Sequence, residues 1–215
     1  MTPVLIDALL TGRAKPFARG ESSAIDKCVS EGPVKIGFLG IVGDEQADLR
    51  YHGGPNKALH HYPLDHYSAW AARAPDHPLL GAPGAFGENI STRGLTEDQV
   101  FIGDRFRFGT ALVEVSQGRQ PCWKQGVRME WTTLPTIMVR ERRSGWYYRV
   151  IEEGIAQAGD VLTLLHRPLP EWSVKRVFGL LIAGDHKSDP AALPVLAAME
   201  LLDDSWRSRA RDLAQ

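Results

Sequence analysis

Ala111-Leu112-Val113-Glu114-Val115-Ser116-Gln117-Gly118-Arg119-Gln120-Pro121-Cys122-Trp123-Lys124 joins an alternating apolar run to a tight basic loop. Ala111 to Val115 has the alternation of a half-buried strand, and Gly118 and Pro121 break it. Cys122 is left between two cations, Arg119 and Lys124. Such neighbours lower a thiol's pKa, and the thiolate is the form that attacks electrophiles and binds soft metals. A cysteine without a disulfide is more often a small buried hydrophobe. The flanking charges and the Pro–Cys turn weigh towards a reactive thiol. Cys28, in an expected strand from Ser23 to Val29, has no comparable pair of cations, so Cys122 is the expected reactive one.

Outward from this stretch, residues 1–115 and 145–165 read as β-rich. Val4 to Leu10, Ser23 to Val29, Val34 to Leu39, Arg105 to Phe108, Gly145 to Ile151 and Val161 to Leu165 are short apolar, aromatic or alternating runs. Many short strands with glycine punctuation predict a barrel or a folded-over sheet. Gly43-Asp44, Gly103-Asp104 and Gly159-Asp160 read as turns and take no catalytic role. Trp131 to Arg143 predicts a short helix interrupted by Pro135.

Tyr51-His52-Gly53-Gly54-Pro55-Asn56-Lys57 is a second stretch of interest. Paired glycines let a ligand approach backbone N–H groups, and Lys57 adds a full positive charge for a phosphate. A plain loop explains the same residues equally well. Lys57 to Tyr62 then reads as a strand with Lys57, Leu59 and His61 on one face. A helix follows Pro63, with Tyr67, Trp70, Ala71 and Ala74 at helical spacing. Four histidines fall within His52 to His66, but the i, i+4 pair with an intervening glutamate is absent, and His60 and His61 point to opposite faces of a strand. A zinc site is not expected. In Gly84-Ala85-Phe86-Gly87-Glu88-Asn89-Ile90, Glu88 is a candidate acid or base, although satisfying loop donors is the more ordinary use of such a carboxylate.

From Glu171 the pattern turns helical, with expected helices at Val174 to Ile182, Pro190 to Leu202 and Asp204 to Leu213. Asp189, Asp203 and Asp204 suit helix N-caps. The expected division is residues 1–168 as a β domain and 169–215 as a small helical subdomain, and a fragment ending at 168 is expected to fold alone. A formal net charge of −1 gives no electrostatic footprint for nucleic acid or an anionic membrane. The two cysteines do not make a disulfide framework, no signal peptide or spanning apolar run is visible, and a cytoplasmic setting is expected. Two cysteines are also too few for an iron–sulfur relay, and no Walker-type or dinucleotide fingerprint is present.

Taken together, His52-Gly53-Gly54-Pro55 with Lys57-Ala58-Leu59, then Phe86-Gly87-Glu88-Asn89, then Val115-Ser116-Gln117 through Arg119, Pro121-Cys122 and Lys124, resemble the MOSC-domain family in its stand-alone bacterial, YiiM-like branch. Gly145-Trp146-Tyr147 and Gly159-Asp160 keep the order. The resemblance covers roughly residues 3–168, and the tail is similar to the three-helix extension of that branch. It implies a mainly β, MOSC-type barrel with a few helices and a small C-terminal three-helix subdomain. It further implies a molybdenum cofactor (Mo-molybdopterin) with Cys122 as metal ligand, and no pyridoxal phosphate. His52, Gly53, Gly54, Lys57, Asn89, Ser116, Arg119 and Lys124 are the implied cofactor-binding residues, with Glu88 or His61 as proton donor. The implied activity is reduction of N-hydroxylated compounds such as hydroxylaminopurine bases. Electrons would come from an external flavin-containing reductase, and a homodimer is compatible with this reading. A sulfur carrier using a Cys122 persulfide and a non-catalytic cofactor-binding module are the alternatives. One departure is Gly118, where the family pattern commonly reads Ser-Gln-Pro-Arg, which loosens the loop before Arg119.

Overall fold

The computed structural model describes residues 2–48 and 53–215. Its strands are β1 (Val4–Thr11), β2 (Lys15–Pro16), β3 (Ser22–Ser23), β4 (Cys28–Val29), β5 (Val34–Gly37), β6 (Gly40–Ile41), β7 (Leu59–Pro63), β8 (Ile90–Thr92), β9 (Arg105–Phe108), β10 (Ala111–Gly118), β11 (Trp146–Glu152), β12 (Gly154–Ala156) and β13 (Val161–His166). Seven of them form a ring in the order β13-β9-β10-β11-β7-β8-β1, closed by β1 pairing back onto β13 through Val4 and Leu162. β4 is added to the far part of β1, so the chain is mainly β with a closed seven-stranded barrel. β7 and β8 are parallel, whereas the other pairs of the ring are antiparallel. A parallel pair needs a crossover, and residues 64–89 supply it, carrying α1 (Tyr67–Ala71) and the Gly84–Glu88 loop.

Period-two alternation fills the barrel. Leu59 and His61 from β7, Trp146, Tyr148 and Val150 from β11, and Phe106 and Phe108 from β9 are buried. The outer face of β7 does not meet water either. His60 and Tyr62 lie under a second apolar cluster, in which Tyr62 stacks on Phe86 at 4.0 Å between ring centres and accepts a hydrogen bond from Trp70 Nε1 at 2.7 Å. Buried side chains of α2 (Trp123–Arg128) and α3 (Leu134–Glu141) lie beside this cluster or within it, as Leu134 and Met138 do.

His61 sits inside the ring, with Nδ1 3.1 Å from Tyr148 Oη and Nε2 2.9 Å from Thr92 Oγ1. Burial pushes its pKa down from 6.5 to about 3, and burial also pushes His60 well below the ordinary histidine value. The unfolded chain therefore accepts protons below pH ~6.5 that the folded chain refuses. Histidine-linked stability is complete above that pH and is lost as the pH falls, with a slope reaching about 2.7 kcal/mol per pH unit for two such rings. Urea unfolding at pH 7.5, 6 and 5 measures this, and a level midpoint across the range would exclude it.

The tail folds as α4 (Val174–Phe178), continued by a wider turn over Gly179–Ala183, then α5 (Ala192–Ala198) and α6 (Asp204–Leu213). Ser173 caps α4 through Arg176 N, and Asp203 caps α6 through Ser205 N at 2.9 Å. The last strand, β13, ends at His166, and the helices begin at Val174. The packing does not stop there: Val174, Val177, Phe178, Leu196, Trp206 and Ala210 belong to the same buried cluster as Phe106, Val113 and Trp146. Gly118 shows why the barrel can come so close to the tail. A Cβ there would lie 2.9 Å from the Trp206 ring and 3.2 Å from that of Phe178. The missing side chain at Gly118 thus lets the Phe178 and Trp206 rings pack against the end of β10.

Two local expectations are corrected. Ser23 to Val29 is not a continuous strand, because only its ends pair and Ala24 to Lys27 runs irregularly. Lys57 is not on the β7 face with Leu59 and His61, since it closes a 3-10 turn, Pro55–Lys57. Among the described residues no helix is long and apolar enough to cross a membrane.

Candidate active site

The Pro121–Cys122 turn delivers the chain from the end of β10 into α2, and Cys122 is the N-cap residue of that helix. Its thiol accepts from the backbone of Gln125, and the Gln125 side-chain carbonyl takes the Cys122 N–H at 3.1 Å. This reciprocal pair fixes the half-buried Cys122 at the edge of a cleft of about 940 Å3. Gln117, Gln120, Trp123, Lys124, Tyr147, Trp206 and Arg209 share the walls of that cleft. The tail is therefore part of the site, because Trp206 and Arg209 belong to α6.

A narrow pocket of about 80 Å3 opens off the cleft, with Lys57, Lys124 and Tyr147 common to both. Lys27, Asp44, His60, Gly87, Asn89 and Arg119 line its remainder. Arg119 is 5% exposed, and its backbone N–H donates to Gly145 O at 3.0 Å. The Tyr147 phenol lies within hydrogen-bonding reach of its guanidinium. Arg119 Nη1 is buried with no hydrogen-bond partner. An unsatisfied donor on a buried cation is costly, and an anion in the pocket would satisfy it. Burial, and then the Arg119 charge, keep the adjacent His60 ring neutral.

The other cations have partners. Lys27 pairs with Asp44, both buried, and Lys124 donates to Ser22 O at 2.9 Å and pairs with Glu21 at 3.0 Å. Lys124 therefore ties the helix to the Lys15–Ser23 hairpin as well as facing the cleft. Burial lowers the Lys57 pKa, and Asp203 opposes that shift. Burial raises the Tyr147 pKa, which keeps the phenol protonated at neutral pH.

The loop that aims Arg119 is held from behind. Glu97 accepts from Ser144 N at 2.8 Å and Gly145 N at 2.7 Å, and it meets His66 Nε2 at 2.7 Å. Gly145 has φ +75°, and a Cβ there would lie 2.1 Å from His61 O, so only glycine fits. Glu97 thus acts through Gly145 on Arg119.

Lys57, Asn89, Arg119, Lys124 and Cys122 line the two adjoining cavities, Gly53 and Gly54 line neither, and His52 lies outside the described residues. Gly54 serves conformation, with φ +96° and open space where a Cβ would point. Asn89 lines the narrow pocket, but its amide is committed to His60 N, Leu10 O and Asp44. Ser116 is fully buried and donates to Asn56 O at 2.6 Å, so it braces the site from outside the cleft.

Glu88 and His61 line neither cavity. Glu88 is fully buried and accepts from Tyr67 Oη at 2.5 Å, Gly84 N at 2.7 Å, Phe86 N at 3.0 Å and Ser91 Oγ at 3.2 Å. A carboxylate so occupied pins the glycine loop. His61 faces the barrel interior, and its neighbour His60 is the ring at the pocket. His60, Gln117, Tyr147 and Trp206 also line these cavities, although the sequence assigns them no role there. Among the described residues, no three His, Cys, Asp or Glu side chains gather as a metal-ligand set.

A family model for the MOSC domain matches residues 48–163. Protein YiiM of Escherichia coli is 43% identical over 157 residues, covering 73% of this chain and 70% of that protein. A protein named "Reductase" from Gibberella moniliformis is 40% identical over 178 residues, which is 81% of this chain but 32% of that longer protein. The crystal structure of YiiM from Geobacillus stearothermophilus superposes with a TM-score of 0.82 at 32% identity, covering 99% of this chain and 100% of that one.

Proposed function

The chain belongs to the MOSC-domain family, and we propose that it is a molybdenum-dependent reductase of N-hydroxylated compounds, hydroxylaminopurine bases among them. MOSC domains are associated with molybdenum-cofactor binding, and the family is reductase-like. Molybdenum dependence, substrate, metal ligand and electron donor are inferred for this chain.

The observation that carries the reading is Arg119, whose buried Nη1 lacks a partner in a narrow pocket that opens into the Cys122 cleft. That pocket offers a phosphate Arg119 as a charged donor, Lys57 at the junction and a neutral His60 ring, while two of its carboxylates, Asp44 and Glu45, are paired with Lys27 and Arg13. The wide cleft has room for fused rings, and the Cys122 sulfur is a soft donor of the kind molybdenum favours. The residues present therefore fit a phosphate-ended pterin cofactor, with Arg119 and Lys57 holding the phosphate end and Cys122 the metal. When bound, that group would supply two-electron chemistry at an N–O bond.

The chain's own residues do the rest. The Asn89–Asp44–Lys27 linkage and the Glu88-pinned loop keep the pocket wall rigid. Trp123 and Trp206 offer indole surface in the cleft for a planar substrate. Tyr147 holds a proton on its phenol between the two cavities, which makes it a better-placed proton source than Glu88 or His61. Electrons are assigned to a separate flavin-containing reductase, because two cysteines cannot build an internal iron–sulfur relay.

Protein from a host that makes the cofactor is expected to carry molybdenum and, with an artificial reductant, to consume a hydroxylaminopurine. Arg119→Gln is expected to weaken cofactor retention about ten- to a hundredfold, the range for a lost charge-assisted contact of roughly 1.5–3 kcal/mol. Molybdenum and pterin content per protein measure it, and unchanged content would remove Arg119 from the site. Inactive wild-type protein that transfers persulfide sulfur from Cys122 without metal would replace this reading with the sulfur-carrier one.

A further inference from the structure

Gln117 is polar, 1% exposed and placed on the wall of the wide cleft. Both its amide nitrogen and its amide oxygen are buried without a hydrogen-bond partner. Among the described residues it is the one amide side chain left unpaired at both ends. Buried polar groups are nearly always bonded, so a doubly unpaired amide calls for an explanation. The backbone suggests one. The register of β10 on β11 shifts between Val115 and Gln117, and such a bulge re-aims the side chain that follows it. Ser116 is locked by its hydroxyl to Asn56 O and Tyr147 O, which anchors the bulge. Gln117 is thereby presented beside Tyr147, on the same cleft as Cys122, Trp123 and Trp206.

We propose that Gln117 reads the edge of a planar heterocycle, donating from Nε2 and accepting at Oε1. The ligand class is a fused ring that offers a donor and an acceptor side by side, as an amino-azine or lactam edge does. Carboxamides recognise such edges in pairs of hydrogen bonds. Two sources carry that chemistry, a purine-type substrate and the pterin ring of the cofactor. This assignment rests on the reading under Proposed function and deepens it by naming the residue that selects the ring.

Gln117→Met keeps the volume of the side chain and removes both polar atoms. In cofactor-free protein its melting temperature is expected to equal or exceed that of the wild type, since an unpaired buried amide is being removed. A Gln117 whose amide had an internal structural role would melt lower when replaced. Calorimetric titration with 6-hydroxylaminopurine forms one arm, and pterin and molybdenum content of protein from a cofactor-competent host forms the other. A tenfold or larger loss in the base arm alone identifies the substrate edge, and the same loss in the content arm alone identifies the pterin edge. Lower melting of Gln117→Met, or no change in either arm, overturns the proposal. A wild type that neither binds the base nor retains molybdenum overturns it together with the reading on which it rests. A wild type that does either, with an unaffected Gln117→Met, overturns this assignment alone.

Discussion

Cys122→Ser is expected to lose bound molybdenum and reductase turnover to background, yet to keep the stability of the wild type to within about 1 kcal/mol. The two halves of this expectation come from different physics. Cys122 caps α2 by accepting from the Gln125 backbone, and serine is among the preferred residues for that position. The helix and the Pro121 turn should therefore survive the exchange. What changes is the donor atom, from a soft sulfur to a hard, neutral hydroxyl that is a poor ligand for such a metal. Alanine would be a worse test, because losing the cap costs about 1 kcal/mol and blurs the reading. Molybdenum analysis, turnover and a thermal melt on the same preparation decide the matter. A serine variant with wild-type turnover would show that Cys122 is not the ligand.

Removing residues 169–215 is expected to abolish the native fold rather than to release a stable barrel. The truncated protein would expose the barrel surfaces that Val174, Phe178, Trp206 and Ala210 now cover. Each large apolar side chain so uncovered is worth about 1.5–3 kcal/mol, and several together match the whole ~5–15 kcal/mol stability of a typical domain. Polar ties go as well. Asp203 accepts from Asn56 Nδ2 at 2.9 Å and donates its N–H to Ser116 O at 3.0 Å. Leu201 O accepts from Arg149, whose guanidinium also pairs with buried Glu114. Near-ultraviolet circular dichroism and a melt of a 1–168 fragment test this. A cooperative melt would mean the tail is an accessory, as its composition alone suggests.

How much of this was legible before the fold was known varies by residue. Cys122 and Arg119 drew notice because charge, proline and glycine crowd within a few positions, and the structure places both on the walls of the adjoining cavities. The barrel was legible from alternation and turn spacing. The choice between His60 and His61 was not. Period two places neighbours on opposite faces but does not say which face is the interior. That is set by pairing with Tyr147 and Trp146 on β11, far along the chain. For Glu88 the loop donors were foreseeable, but the further donor Tyr67, 21 residues away, was not. Gln117 looked like an ordinary polar residue ending a strand. Only the absence of a partner in three dimensions sets it apart. The tail helices showed apolar faces without showing what those faces would cover.

The seam between β1 and β13 has a consequence for how the chain is made. Val4 meets Leu162 and Leu5 meets Val161, so the ring cannot close until more than 150 intervening residues exist. At about 5–20 residues per second, the first strand waits on the order of ten seconds for that partner. During the wait its apolar run has an unpaired edge, the condition that favours pairing with another nascent chain. Asp7, set in the middle of Val4–Thr11 and later paired with Arg93, places a charge in that run. A charge there discourages edge-to-edge association. The late seam also loads the folding barrier with loop-closure entropy, which puts this barrel among slow folders.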